Sequence, residues 1–128
     1  MATETGLRPQ RRGRPRRAET SAAIVEATLA LLAECGFQAT TVDAIADRAG
    51  VAKNTIYRRW PSKEELIADA LDQLTRPAVE VSESVGVYEF LREHARDIAR
   101  ILADPQVRRI LPDMLGELQR NRTFAVTF

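Results

Sequence analysis

From Ala18 onward the apolar positions recur at three- and four-residue spacing, with Ile24, Ala27 and Leu31 in register and Leu29 and Leu32 beside them. That is the period of an amphipathic helix. Gly36 follows its last turn as a stop, so the first helix spans about residues 18–35. Thr40, with Asp43 three residues on, starts a second helix, Val42 to Ala49, in the manner of a capping box, and Gly50 ends it. A third short helix runs from about Ala52 to Trp60 and stops at Pro61. Ser62 and Glu65 form the S-x-x-E head of a fourth, whose apolar face is Leu66, Ile67, Ala70, Leu71 and Leu74 and which Pro77 closes. Residues 77–85 lack periodicity and mark a boundary. Beyond it Val87, Phe90, Leu91, His94, Ile98, Ile101 and Leu102 share one helical face. Asp104 and Pro105 then open a helix striped with Val107, Ile110, Leu111, Met114, Leu115 and Leu118. Pro112 inside that run removes one intrahelical hydrogen bond, which predicts a kink or a break. Arg122 to Phe128 shows no helical pattern.

These elements describe an all-α chain in three parts: an arm over residues 1–17, a helical domain over 18–76 and a partial second helical domain over 77–128. Composition agrees, because only 5% of the residues are aromatic against 45% hydrophobic, which disfavours an all-β sandwich. The arm mixes Gly6, Pro9, Gly13 and Pro15 with arginines and cannot bury enough apolar surface to order itself, so it is expected to be flexible. No run of the ~20 apolar residues that span a bilayer is expected, and no apolar segment follows the arginines as in a secretory signal, which points to a cytoplasmic protein. Cys35 is the one cysteine, so internal disulfides and cysteine-rich zinc sites are excluded; it is expected to be buried in packing.

Charge is unevenly placed. The net +1 conceals six arginines against one glutamate in residues 1–17 and a second basic block, Arg48 to Lys63, with no acid inside it. Two basic patches on an otherwise acidic body point to a polyanion. The second patch coincides with two helices too short to be stable alone. Ala46 and Ala49 allow close approach, Gly50 permits the sharp turn, and Ile45, Val51 and Ile56 supply packing: the helix-turn-helix pattern. The outer face of its second helix carries Lys53, Asn54, Thr55, Tyr57, Arg58 and Arg59. Arginine and lysine donate to guanine O6 and N7, asparagine pairs with adenine, and hydroxyls bind phosphate oxygens. The same residues also suit a helical hairpin with a merely solvated basic face.

The run from Thr40 to Leu66, together with the first helix and the Gly36-Phe37 junction, resembles the DNA-binding region of TetR-family transcriptional regulators over about residues 18–75. The resemblance implies a three-helix homeodomain-like domain with its third helix in the major groove, a connecting fourth helix, and a C-terminal helical domain for effector binding and dimerisation. It implies as partners double-stranded DNA, with a palindromic operator, and a small-molecule effector, with release of a repressor by that effector. A homodimer is expected from the family, although the chain ends before the helices of the family's dimer interface, as a truncated product would. Carried over, Lys53, Asn54 and Arg58 face the groove, Thr41, Tyr57, Arg59 and Lys63 contact phosphate, and Trp60 packs. Separately, Arg12-Gly13-Arg14-Pro15-Arg16 is similar to an AT-hook core, in which Arg12, Arg14 and Arg16 enter a narrow minor groove in extended form.

Nothing suggests an enzyme, a cofactor or a metal: there is no glycine-rich phosphate loop or nucleophile elbow, and His94, the one histidine, lies on an apolar stripe. Glu89, Glu93 and Asp97 alternate with Arg92, Arg96 and Arg100 as on a solvated, ion-paired face. Two other functions remain open: an interaction module that pairs through Val107 to Leu118 with a full-length relative, and a ligand-binding helical protein without DNA binding.

Overall fold

Helix follows helix through the residues that a computed structural model describes, 13–76 and 86–127, and no strand occurs among them. In chain order these are α1 (Gly13–Ala39), α2 (Val42–Ala49), α3 (Lys53–Tyr57), α4 (Lys63–Leu74), α5 (Val87–Ala103), α6 (Pro105–Arg120) and α7 (Arg122–Thr127). α1 is the hub, packing against α2, α4 and α6; α3 leans on α2, α7 bridges α4 and α6, and α5 packs on α6. Ile24 and Leu32 from α1 meet Ile45, Ile56, Leu66 and Ile67 in one buried cluster that extends to Ile110, Met114 and Phe124.

The turn that sets α3 against α2 follows from Gly50. Its φ of 71° is left-handed, its N–H donates to the Asp47 carbonyl at 3.3 Å, and the Val51 N–H reaches back to the Ala46 carbonyl at 3.0 Å. This is the Schellman arrangement, which satisfies the last carbonyls of α2 while reversing the chain. A Cβ at Gly50 would meet nothing within 4 Å, so only the backbone conformation resists substitution. Gly50→Ala is therefore expected to cost about 1–2 kcal/mol in urea unfolding; no loss would mean that the turn does not depend on glycine. α4 starts as its S-x-x-E spacing predicts, with the Ser62 hydroxyl accepting the Glu65 N–H at 3.2 Å.

Several expectations are corrected. α1 begins at Gly13, so residues 13–17 of the predicted arm are helical; Pro15 is tolerated because first-turn N–H groups have no intrahelical acceptor. Gly36, at φ 79° and ψ 178°, interrupts α1 where a stop was expected, but helix resumes as far as Ala39. The N-cap of α2 is Thr41, whose Oγ1 accepts the Ala44 N–H at 3.1 Å; Thr40 is buried instead and donates to the Gly36 carbonyl at 2.7 Å. α3 ends at Tyr57, before the predicted Trp60, as the chain turns to bury the indole. Pro112 does not break α6, which runs on to Arg120; it and Arg108, four residues earlier, are exposed, so the carbonyl that loses its donor is open to solvent. The stretch without helical pattern forms α7, with Asn121 Oδ1 accepting the Phe124 N–H at 3.1 Å and Phe124 fully buried.

Cys35 is exposed, not buried. One stretch, Arg16–Ala39, is long and apolar enough by length and composition to cross a membrane, contrary to expectation. Its Ile24, Ala27 and Leu32 are buried within the protein and Glu26 and Glu34 lie outside, which makes it a core helix. The stripe on α6 is used internally only in part: Val107, Ile110 and Met114 are buried, whereas Leu111 and Leu115 are exposed, and on α5 Val87, Tyr88, Leu91, Ile98 and Leu102 are bare as well.

Candidate nucleic-acid interface

Two inward side chains fix α3. Ile56 is fully buried, and the buried Trp60 just beyond it donates its Nε1 proton to Asp69 of α4 at 2.8 Å. With those anchors in the core, Lys53, Asn54, Tyr57, Arg58 and Arg59 all lie on the exposed side, and Thr55 is half-buried at its edge. No helix among the described residues covers that face. The sequence thus identified which residues share the surface.

Their engagement differs. Asn54 and Arg58 have no side-chain hydrogen bond or ion pair among the described residues. Lys53 lies 2.5 Å from Asp43, whose carboxylate, by hydrogen bonding first and charge second, holds the ammonium above its ordinary range. Both partners are well exposed, so the pair is readily exchanged for another anion. Arg59 stacks with its Cζ 5.0 Å from the centre of the Trp60 ring, and its Nη1 donates to Ser21 Oγ of α1 at 3.4 Å. Thr41 is exposed at the head of α2, its hydroxyl already serving as the cap.

Lys63 departs from expectation. It is half-buried, with its ammonium 4.2 Å from the centre of the Phe37 ring, and burial pushes its pKa down while Glu64 and Glu117 oppose that. The side chain thus faces a seam within the protein, where the Phe37 N–H donates to Asp113 Oδ2 at 2.7 Å and Gln38 Nε2 to both Glu117 oxygens at 3.2 Å. Glu117 is 1% exposed and also accepts from Arg120 at 3.3 Å. Sequence reasoning did not find this seam, because it joins residues far apart in the chain.

The N-terminal arginines divide. Arg12 lies outside the described residues, as does the Arg14 side chain, and Arg16 is exposed on α1. Gly13 to Arg16 is helical, not the extended strand that an AT-hook requires, so that expectation is corrected. Arg17 and Ser21, which the sequence reading passed over, instead face α3 across a cleft of about 420 Å³ that Thr55, Arg58, Arg59 and Trp60 complete. Their spacing to buried Ile24 along α1 was the available signal.

Elsewhere His94 packs its ring against Phe90 with centroids 4.2 Å apart, and among the described residues no three metal-ligating side chains gather. Arg92 pairs with Glu89, and Arg100 with Asp97, as on a solvated face. An apolar groove between α4 and α6, bounded by Leu71, Leu74, Ile110, Met114 and Leu118, has a volume of about 90 Å³. Small-molecule sites run to about 300–1,000 Å³.

Comparison with known proteins follows the same lines. Residues 24–70 match the family described as bacterial regulatory proteins, tetR family. The HTH-type transcriptional regulator YdeS of Bacillus subtilis is 35% identical over 115 residues, which cover 90% of this chain and 58% of that protein. The HTH-type transcriptional repressor KstR of Mycolicibacterium smegmatis is 33% identical, over 92% of this chain and 47% of its own length. The chain thus spans about half the length of these relatives. A solved transcriptional regulator of the TetR family from Vibrio parahaemolyticus superposes with a TM-score of 0.58 at 30% identity, covering 84% of this chain and 62% of that one.

Proposed function

We propose that this chain, whose residues 24–70 match the tetR family of bacterial regulatory proteins, is a sequence-specific DNA-binding regulator of transcription. The observation that carries the reading is the uncovered face of α3, where Asn54 and Arg58 have donors and acceptors to spare while Ile56 and Trp60 hold the helix from behind. A helix of about 10–12 Å diameter fits the major groove. There Arg58 suits guanine O6 and N7, Asn54 suits adenine N6 and N7, and Lys53 joins them by giving up Asp43. Thr41, Tyr57 and Arg59 sit at the margins and position the backbone; Lys63 does so only by leaving Phe37.

Occupying an operator excludes polymerase, which makes repression the simplest outcome. Two copies on an inverted repeat gain from effective concentration. A small-molecule effector acts by preferring an arrangement that no longer fits both half-sites. The groove between α4 and α6, at about 90 Å³, would have to widen to admit one.

The test is selection of duplexes from a random-sequence pool by the purified chain, followed by footprinting of the enriched sequence. One enriched, protected sequence is expected. Retention of all duplexes alike, vanishing together as salt rises, would overturn the reading. Arg58→Ala is expected to lose about 1–3 kcal/mol of discrimination at one base pair, read as a relaxed preference there in a repeated selection. An unchanged preference would remove Arg58 from base reading.

A further inference from the structure

Of the 19 lysine and arginine side chains only Lys53 and Lys63 are lysines, and the fold treats their amines in opposite ways. Lys53 meets Asp43 at 2.5 Å, and that carboxylate holds it charged. Lys63 makes no ion pair or hydrogen bond among the described residues; its one close contact is the face of the Phe37 ring. It is also the first residue of α4, where the positive end of the helix dipole disfavours a cation.

Burial lowers the Lys63 pKa and outweighs the opposing pull of Glu64 on α4, Glu117 on α6 and Cys35 on α1. The ring face favours the charged form too, but it accepts no proton and ties up no donor in a carboxylate. A lysine so placed gives up its proton more readily than a solvated one, and the neutral amine is a nucleophile. Because the side chain is half-buried and not enclosed, a small reagent can reach it.

We propose that Nζ of Lys63 is an acyl-acceptor site that takes a small acyl group from an activated carboxylic acid, either an acyl phosphate or an acyl thioester. The neutral amine attacks the acyl carbonyl carbon. A C–N bond forms while the bond from that carbon to sulfur or to the phosphate oxygen breaks. Thiolate or phosphate leaves with the electron pair, and the proton shed by nitrogen passes to water or to the leaving group. The product is an uncharged amide beside Phe37, and the charge it removes belongs to the basic block Arg48 to Lys63. Resting on the DNA-binding reading above, this makes Lys63 a point where a supply of acyl donor weakens the hold on DNA.

The experiment treats the intact folded chain with acetyl phosphate and, separately, with acetyl-coenzyme A, and follows each amine by mass spectrometry. Cleavage at arginine parts the two lysines, Lys53 into residues 49–58 and Lys63 into residues 60–76. Lys63 is expected to be acetylated about tenfold faster than Lys53, with a rate that levels off at lower pH, and the donor that reacts identifies the source. In urea that unfolds the chain the two rates are expected to converge. Cys35→Ser is expected to leave the Lys63 rate unchanged. A Lys63 rate no greater than that of Lys53, a preference that survives in urea, or loss of the reaction in Cys35→Ser overturns direct acylation of this amine. On the selected duplex the acetylated wild-type chain is expected to bind about threefold more weakly than the untreated one, and Lys63→Arg to lose nothing on the same treatment. An equal loss in Lys63→Arg overturns the link to DNA alone. A wild-type chain that retains no duplex overturns the DNA-binding reading, while the acceptor site stands or falls on the acetylation rates.

Discussion

Trp60→Ala is expected to lower the unfolding free energy by about 3–5 kcal/mol and to abolish sequence-selective retention of DNA under conditions where most of the chain is still folded. The indole is 5% exposed, so the substitution leaves a cavity beneath the segment that presents the proposed interface. It also removes the donor to Asp69 and the ring on which Arg59 stacks. α3 has only five residues, too few to hold a helix by its own hydrogen bonds, and its remaining inward anchor is Ile56. Trp60→Phe separates the two contributions: it keeps most of the packing and loses the Nε1 donor. Because Asp69 is half-buried and reachable by water, that variant is expected to lose about 1 kcal/mol and to keep selectivity. Urea denaturation followed by far-UV circular dichroism gives the stability difference, and retention on the selected duplex gives the binding. Wild-type selectivity in Trp60→Ala would show that α3 is held by something other than the indole.

How much of this was legible in the sequence depends on how far apart the interacting residues lie. α2 and the start of α4 could be placed to within a residue, because caps such as Ser62 with Glu65 and stops such as Gly50 act within one turn, whereas α4 ends at Leu74, short of the Pro77 expected to close it. The face of α3 was equally legible, since Ile56 and Trp60 are four residues apart and leave the opposite side polar. What those polar residues do once folded was not. The Lys53–Asp43 pair crosses the interhelical turn, Arg59 reaches Ser21 38 residues away, and Lys63 lies over the Phe37 ring, whose face offsets part of the hydration that burial removes. No periodicity encodes such contacts. α7 failed for the same reason: six residues give no pattern, and the helix persists because Phe124 has a buried place against Phe37, with only Asn121 as a local signal. At Pro112 the break did not follow, since the carbonyl left without a donor lies on an exposed face.

Phe124→Ala is expected to cost about 3–5 kcal/mol and, more informatively, to lower the stability of the DNA-binding part along with its own. Phe124 is fully buried, with its ring centroid 5.2 Å from that of Phe37 in a tilted pairing, and α7 packs on both α4 and α6. Phe37 follows the Gly36 interruption directly and precedes α2, so the same few residues join α6, α7 and the head of the helix-turn-helix. Combining Phe124→Ala with Phe37→Ala should fall short of additivity by about 0.5–1.5 kcal/mol, the worth of the ring pair beyond its buried area. Trp60, the one tryptophan, reports on the α3 side alone. If the two parts unfold as one unit, its fluorescence in Phe124→Ala shifts to lower urea in step with circular dichroism. If fluorescence keeps its wild-type midpoint while circular dichroism shows an added early phase, α7 is an independent appendage. In the first case the seam from Asp113 and Glu117 to Phe37 and Gln38 is a mechanical route: any ligand that displaces α6 then acts directly on the residues that aim α2 and α3.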